Sequence, residues 1–111
     1  MTTDEIQVLS PSEAQEKLQA GDSVVIDVRM AYDWAGGRVP KSINLPNNAI
    51  QFRKGEVPEG KALIFMGRDT DKGEAAAKKA KALGFEDVYV LEGGWDLWVD
   101  SGMPTETISG G

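Results

Sequence analysis

Residues 63–83 restrict what this chain can fold into more than any other stretch: LIFM, then GRDTDKG, then EAAAKKAKAL. Leu63-Ile64-Phe65-Met66 is an unbroken apolar run of strand length, the pattern of a strand buried on both faces of a parallel sheet. Beyond Gly73 the pattern turns helical. Ala76, Ala80 and Leu83 recur at helical spacing with lysines between them, and Gly84 supplies the stop. A buried strand, a short polar loop and a helix bring loop amides and a helix N-terminus to one point, which attracts anions. The expected anion-binding loop is therefore Gly67, Arg68, Asp69, Thr70, Asp71, Lys72 and Gly73. Gly67 stands at its floor, where the missing side chain is expected to leave a small void.

The rest of the composition narrows the chemistry. The sequence holds no cysteine and no histidine. That removes disulfides, thiolate and imidazole chemistry and the usual zinc sites together. Asp, Glu, Lys, Arg, Ser, Thr and Tyr remain. Asp69, Asp71 and Glu74 lack the third acid and distal glutamate of a calcium loop, so neither a metal nor a cofactor is expected. At 111 residues the chain reads as a single domain over residues 1–111, with its core at about 6–104 and a tail at 105–111 that ends in Gly110-Gly111. A net charge of −6 argues against a nucleic-acid partner. No apolar run approaches the length of a membrane span, and the acidic opening MTTDEIQ does not read as a signal peptide. The expected location is the cytoplasm.

Taken in order, strands and helices alternate. Residues 6–9 predict a short strand, followed by the capping box Ser10-Pro11-Ser12-Glu13 and a helix that stops at Gly21. Residues 23–28, SVVIDV, predict a second buried strand, and residues 32–36 a short helix ended by Gly36-Gly37. A third strand is expected over 42–45, then a short helix capped by Asn47 and Asn48. After the central strand and helix come a strand over 88–91 and a last helix carrying Trp95 and Trp98. Such alternation implies an α/β fold of three layers, with a mainly parallel sheet between helices. Ligands on sheets of this kind sit beyond the carboxyl ends of the strands, where the loop of Gly67 lies. Asp27 and Arg29 read as structural, with Asp33 placed four residues on for an ion pair to Arg29. Trp34 and Trp98 read as core aromatics, and Lys78, Lys79 and Lys81 as a solvated helix face.

Several fragments in this order resemble the rhodanese-homology family. Val25-Ile26-Asp27-Val28-Arg29, Asp33-Trp34, Gly37-Arg38-Val39-Pro40 and Ile43-Asn44-Leu45-Pro46 are similar to its N-terminal signature. Gly84-Phe85, Val88-Tyr89, Leu91-Glu92-Gly93-Gly94 and Trp98 are similar to its C-terminal one. The resemblance implies a five-stranded sheet and an ancestry in sulfane-sulfur transfer. It places the family's catalytic cysteine at Gly67 and its loop cations at Arg68 and Lys72, with Asp69 and Asp71 as added acids. Arg38 stands where a histidine is frequent, and it joins Trp95 as the expected pocket rim. With glycine at the nucleophile position, the leading expectation is a catalytically silent binding or regulatory module. Its partner would be a small anion (thiosulfate or sulfate, held weakly) or another protein. A sulfurtransferase whose cysteine has been replaced here, and a phosphatase-like cradle, are the alternatives.

Overall fold

The computed structural model describes residues 6–46 and 49–107. The chain runs β1 (Gln7–Leu9), α1 (Pro11–Ala20), β2 (Ser23–Asp27), α2 (Ala31–Gly36), β3 (Ile43–Asn44), α3 (Ala49–Phe52), a 3₁₀ turn (Lys54–Glu56), β4 (Ala62–Met66), α4 (Thr70–Ala82), β5 (Val88–Leu91) and α5 (Gly94–Asp100). The five strands form one parallel sheet in the order β1-β5-β4-β2-β3. β4 lies at its centre, in register with β2 from Ser23 opposite Ala62 to Asp27 opposite Met66.

Both central strands are buried along their whole length, as unbroken apolar runs require. Successive side chains point to opposite faces, so each strand feeds two cores. Val24, Ile26, Leu63 and Phe65 pack with Ala77 and Ala80 of α4 and Ile50 of α3. Val25, Ile64 and Met66 pack on the other side with Ala14 of α1 and Trp98 of α5. Each fully buried aliphatic side chain contributes about 1.5–3 kcal/mol. Three layers result. α1 begins as its sequence implies: Ser10 Oγ accepts from the Glu13 N–H at 3.2 Å, while Glu13 Oε1 accepts from the Ser10 N–H at 2.8 Å.

Three expectations change. α4 begins at Thr70 rather than beyond Gly73, because Asp69 in extended conformation caps it and its Oδ1 accepts from the Lys72 N–H at 3.0 Å. The polar loop thereby shortens to Gly67, Arg68 and Asp69. Arg29 pairs with Asp27, at 2.8 Å, and not with Asp33. Trp34 is only half-buried, its Nε1–H donating to Ser42 Oγ at 3.0 Å, whereas Trp98 is fully buried. The expected capping of α3 by Asn47 and Asn48 lies outside the described residues, as does Gly110-Gly111.

The segment after α5 returns across the molecule. Trp98 Nε1–H donates to the Pro104 carbonyl at 2.8 Å. Arg38 and Glu106 exchange both backbone N–H···O bonds at 2.9 Å, and Arg38 Nε donates to Glu106 Oε2 at 3.0 Å. No helix among the described residues is long and apolar enough to cross a membrane.

Candidate functional site

The strand order positions the site. From β2 the chain moves outward to β3, and from β4 it moves the opposite way to β5. The connections leaving β2 and β4 therefore diverge, and a crevice opens between the carboxyl ends of the two central strands, where α/β sheets hold their ligands. A cleft of about 640 Å³ lies there. Val28 and Arg29 beyond β2 and Gly67 and Arg68 beyond β4 form its base. Met30 and Asp33 close one side, and Lys72, Ala75, Ala76 and Lys79 of α4 close the other.

At the base, a buried ion pair fixes the exit from β2. Asp27 and Arg29 are 0% and 8% exposed. The Arg29 guanidinium donates Nε–H to Asp27 Oδ1 at 3.1 Å and Nη2–H to Asp27 Oδ2 at 2.8 Å and to the Gly37 carbonyl at 2.6 Å. Its face lies 4.4 Å from the Trp95 ring centroid. Asn44 Nδ2 donates to the carbonyls of Asp27 and Arg29 at 3.0 and 2.9 Å. Through Nε and Nη2, Arg29 ties the exit of β2 to Asp27 and to the Gly37 carbonyl while it also lines the cleft.

The β4–α4 turn is interlocked with α5. Trp95 N–H donates to the Gly67 carbonyl at 2.9 Å, Asp96 N–H to the Arg68 carbonyl at 3.4 Å, and Gly93 N–H to Thr70 Oγ1 at 2.7 Å. Gly94, at φ +58°, sits so close beneath the turn that a Cβ there would overlap the Gly67 carbonyl oxygen. The floor of the turn is equally full. A Cβ on Gly67 would overlap Lys72 Cβ and lie 3.0 Å from the Gly73 nitrogen. The expected void at Gly67 is absent, because the helical first turn that begins at Thr70 carries Lys72 into that space.

The expected site residues thus divide. Gly67, Arg68 and Lys72 line the cleft. Asp69 is committed to the helix cap, Thr70 to Gly93, and Gly73 is buried with its backbone against the Phe65 carbonyl, while Asp71 is exposed. Arg38 and Trp95 are not among the cleft's lining residues. Arg38 stacks 4.3 Å from the Trp34 ring centroid and is held by Glu106. Trp95 covers Arg29 and Gly37. The cleft also takes in Met30, Asp33, Ala75, Ala76 and Lys79, none of which the sequence reading assigned to a site: Asp33 was expected to pair with Arg29, and Lys79 to belong to a solvated helix face. A usable signal existed for Ala75, Ala76 and Lys79: counted from Lys72 they recur at helical spacing, on one face of α4.

Chemically, the lining offers four cations, of which Arg29 is already paired with Asp27, one carboxylate and small apolar surface, with no thiol, hydroxyl or imidazole among the described residues that form it. Asp33 Oδ2 lies 3.7 Å from Arg68 Nη2, a loose pair with both side chains open to solvent. The arrangement is built to hold charge, and no side chain in it resembles an activated nucleophile.

Fold and sequence together define the class. The profile of the Rhodanese-like domain matches residues 10–101, and the chain belongs to that family. It is 30% identical over 100 residues, 90% of this chain and 93% of the relative, to the thiosulfate sulfurtransferase GlpE of Pseudomonas savastanoi pv. phaseolicola. To the protein of the same name from Ectopseudomonas mendocina it is 31% identical over 106 residues, 96% of this chain and 95% of the relative. Among solved structures, a rhodanese-related protein from Thermoplasma volcanium superposes with a TM-score of 0.81 at 20% identity, covering 93% of this chain and 99% of that one. The two sulfurtransferases are relatives in sequence, and the last likeness is one of fold.

Proposed function

We propose that this rhodanese-like domain transfers no sulfur by itself and serves as a binding module, using the cationic cleft between the ends of β2 and β4. One observation carries the reading. The position that the family resemblance assigns to the nucleophile is Gly67, packed against Lys72 with no room for a side chain, in a sequence without any cysteine. Covalent sulfur transfer needs a nucleophile to accept the sulfur, and neither the cleft nor the rest of the chain offers a thiol. What the cleft retains is positive charge. Arg68 and Lys72 attract small anions such as sulfate or thiosulfate, while the Asp69 carboxylate already occupies the N-terminal cap of α4. Small-anion binding is accordingly weak.

The test is a thiosulfate:cyanide assay on the unaltered chain, followed by intact-mass measurement after incubation with thiosulfate. Thiocyanate formation at the no-protein rate and an unchanged mass are expected. Catalytic thiocyanate formation, or a mass gain of one sulfur atom, overturns the proposal.

A further inference from the structure

One wall of the cleft is held from outside the cleft. Asp33 stands in that wall and belongs to α2, a helix of six residues with no buried residue and no side-chain bond at its N-cap. An element with so little buried surface has low local stability and takes its position from a few contacts. Trp34 supplies them. Its Nε1–H donates to Ser42 Oγ at 3.0 Å, and its ring lies 4.3 Å from the Arg38 guanidinium. Trp34 and Asp33 are successive residues, about 100° apart around the helix axis, so clamping one sets the direction of the other. Asp33 Oδ2 comes to lie 3.7 Å from Arg68 Nη2. Arg38 is clamped in its turn by the segment that follows α5. Met103 packs beside Trp98, and the Pro104 carbonyl accepts from Trp98 Nε1–H at 2.8 Å. Glu106 then exchanges both backbone bonds with Arg38 at 2.9 Å, while its Oε2 accepts from Arg38 Nε at 3.0 Å and from the Lys41 N–H at 3.4 Å.

We infer that residues 103–107 form a strap that restrains anion binding in the cleft: Glu106 holds Arg38, Arg38 holds Trp34, and α2 thereby keeps the Asp33 carboxylate on Arg68. The inference rests on the reading of the domain as a binding module and names the regulation of that site. With the strap attached, an anion at Arg68 meets a carboxylate already there. Release of Glu106 frees Arg38 and lets α2 turn, and Arg68 then answers to the anion alone. Linkage makes the effect reciprocal, so an anion bound at Arg68 loosens the strap by the same factor. That factor is bounded by the worth of the Asp33–Arg68 pair, which is open to solvent, and is therefore about two- to fivefold.

The experiment titrates the full chain with sulfate at constant ionic strength, chloride making up the balance, and follows the amide shifts of residues 67–72. Glu106→Pro removes the N–H that bonds the Arg38 carbonyl together with the carboxylate that holds the guanidinium. It should raise sulfate affinity about two- to fivefold. In an Asp33→Asn background the same change should add little, because both act through one contact. Glu16→Gln, at an exposed acid of α1 across the sheet from α4, removes an equal charge and should change nothing. In the unaltered chain, sulfate should speed hydrogen exchange at the amides of Arg38 and Glu106, where chloride does not. That measurement decides alone if Glu106→Pro fails to fold. An unchanged affinity in Glu106→Pro, a full gain in the Asp33→Asn background, an equal gain in Glu16→Gln, or exchange that ignores sulfate overturns the inference. The absence of sulfate-dependent shifts at residues 67–72 in every variant would strike the anion-binding reading itself. Sulfur transfer by the same preparation would overturn the binding-module reading independently of the strap.

Discussion

Lys72 Cβ occupies the space that a Cβ on Gly67 would need, and the Gly73 amide nitrogen crowds the same point from 3.0 Å. Neither obstacle is the flexible end of a side chain. A residue larger than glycine at position 67 therefore has to push the first turn of α4 away from β4. Gly67→Ala should cost about 1–3 kcal/mol, the usual range for overpacking, measured by urea denaturation. Gly67→Cys meets the same obstacle, so its thiol enters a displaced turn rather than a prepared cradle. A double-mutant cycle with Lys72→Gly should recover part of the loss, because it removes the clashing Cβ. Strict additivity of the two changes would show that the two positions do not collide.

Ile26 is fully buried in β2, opposite Phe65 of β4 and Ile43 of β3. Ile26→Ala should cost about 2–5 kcal/mol, as buried aliphatic truncations do. A change near zero in the unfolding midpoint would place Ile26 outside the core.

The tie between Arg38 and Glu106 should respond to acid. Hydrogen bonding from the Arg38 guanidinium, then from the Lys41 N–H, holds the Glu106 carboxyl below the usual glutamate range. A carboxyl whose folded value is depressed stabilises the fold fully above its unfolded value, and that contribution is lost as pH falls through the folded value. Amide shifts of Arg38 and Glu106 followed from about pH 7 to about pH 3 should therefore show a transition below the ordinary glutamate range. Glu106→Gln should abolish it. A transition at or above the ordinary range would mean that the pair does not form in solution.

Small anions should bind poorly. Arg68 and Lys72 favour them, but Asp69 and Asp71 oppose them, and the cap at Asp69 already satisfies the Lys72 N–H. Sulfate or thiosulfate is expected in the millimolar range or weaker, worth about 4 kcal/mol at most. The double change Asp69→Asn with Asp71→Asn should strengthen binding. Asparagine caps a helix about as well as aspartate, so α4 should keep its start. Titrations followed at the amides of residues 67–74 decide the matter, and micromolar binding by the unaltered chain would contradict it.

Much of this architecture was legible because local patterns and burial agree. The apolar runs ending at Val28 and Met66 could hardly be anything but central strands, and Ser10 with Glu13 is a complete helix-start signal. Other features were hidden for physical reasons. The polar string from Arg68 to Lys72 reads equally well as a loop or as the capped first turn of a helix. Only the packing of Lys72 over Gly67 and of Gly94 beneath it distinguishes the two. Arg29 had acids on both sides, and the choice of Asp27 over Asp33 depends on burial, which sequence spacing does not report. The pairing of Arg38 with Glu106 joins residues from opposite ends of the fold and leaves no local trace. The place of the cleft, beyond the ends of the strands at Gly67, was legible, but Met30, Ala75 and Ala76 in its wall were not, because such residues carry no chemical signature.

The strand order has one more consequence, and it concerns time. β1 is hydrogen-bonded only to β5, with Gln7 opposite Tyr89 and Leu9 opposite Leu91. During synthesis β2, β3 and β4 can assemble as soon as they emerge, but β1 must wait until residues 89–91 exist. Until then β1 is an unpaired ribbon beside a growing sheet, and its insertion depends on closing the long loop between residues 9 and 89. A pause in synthesis ahead of β5 would leave both β1 and the flank of β4 uncovered, the kind of open edge that invites pairing between molecules.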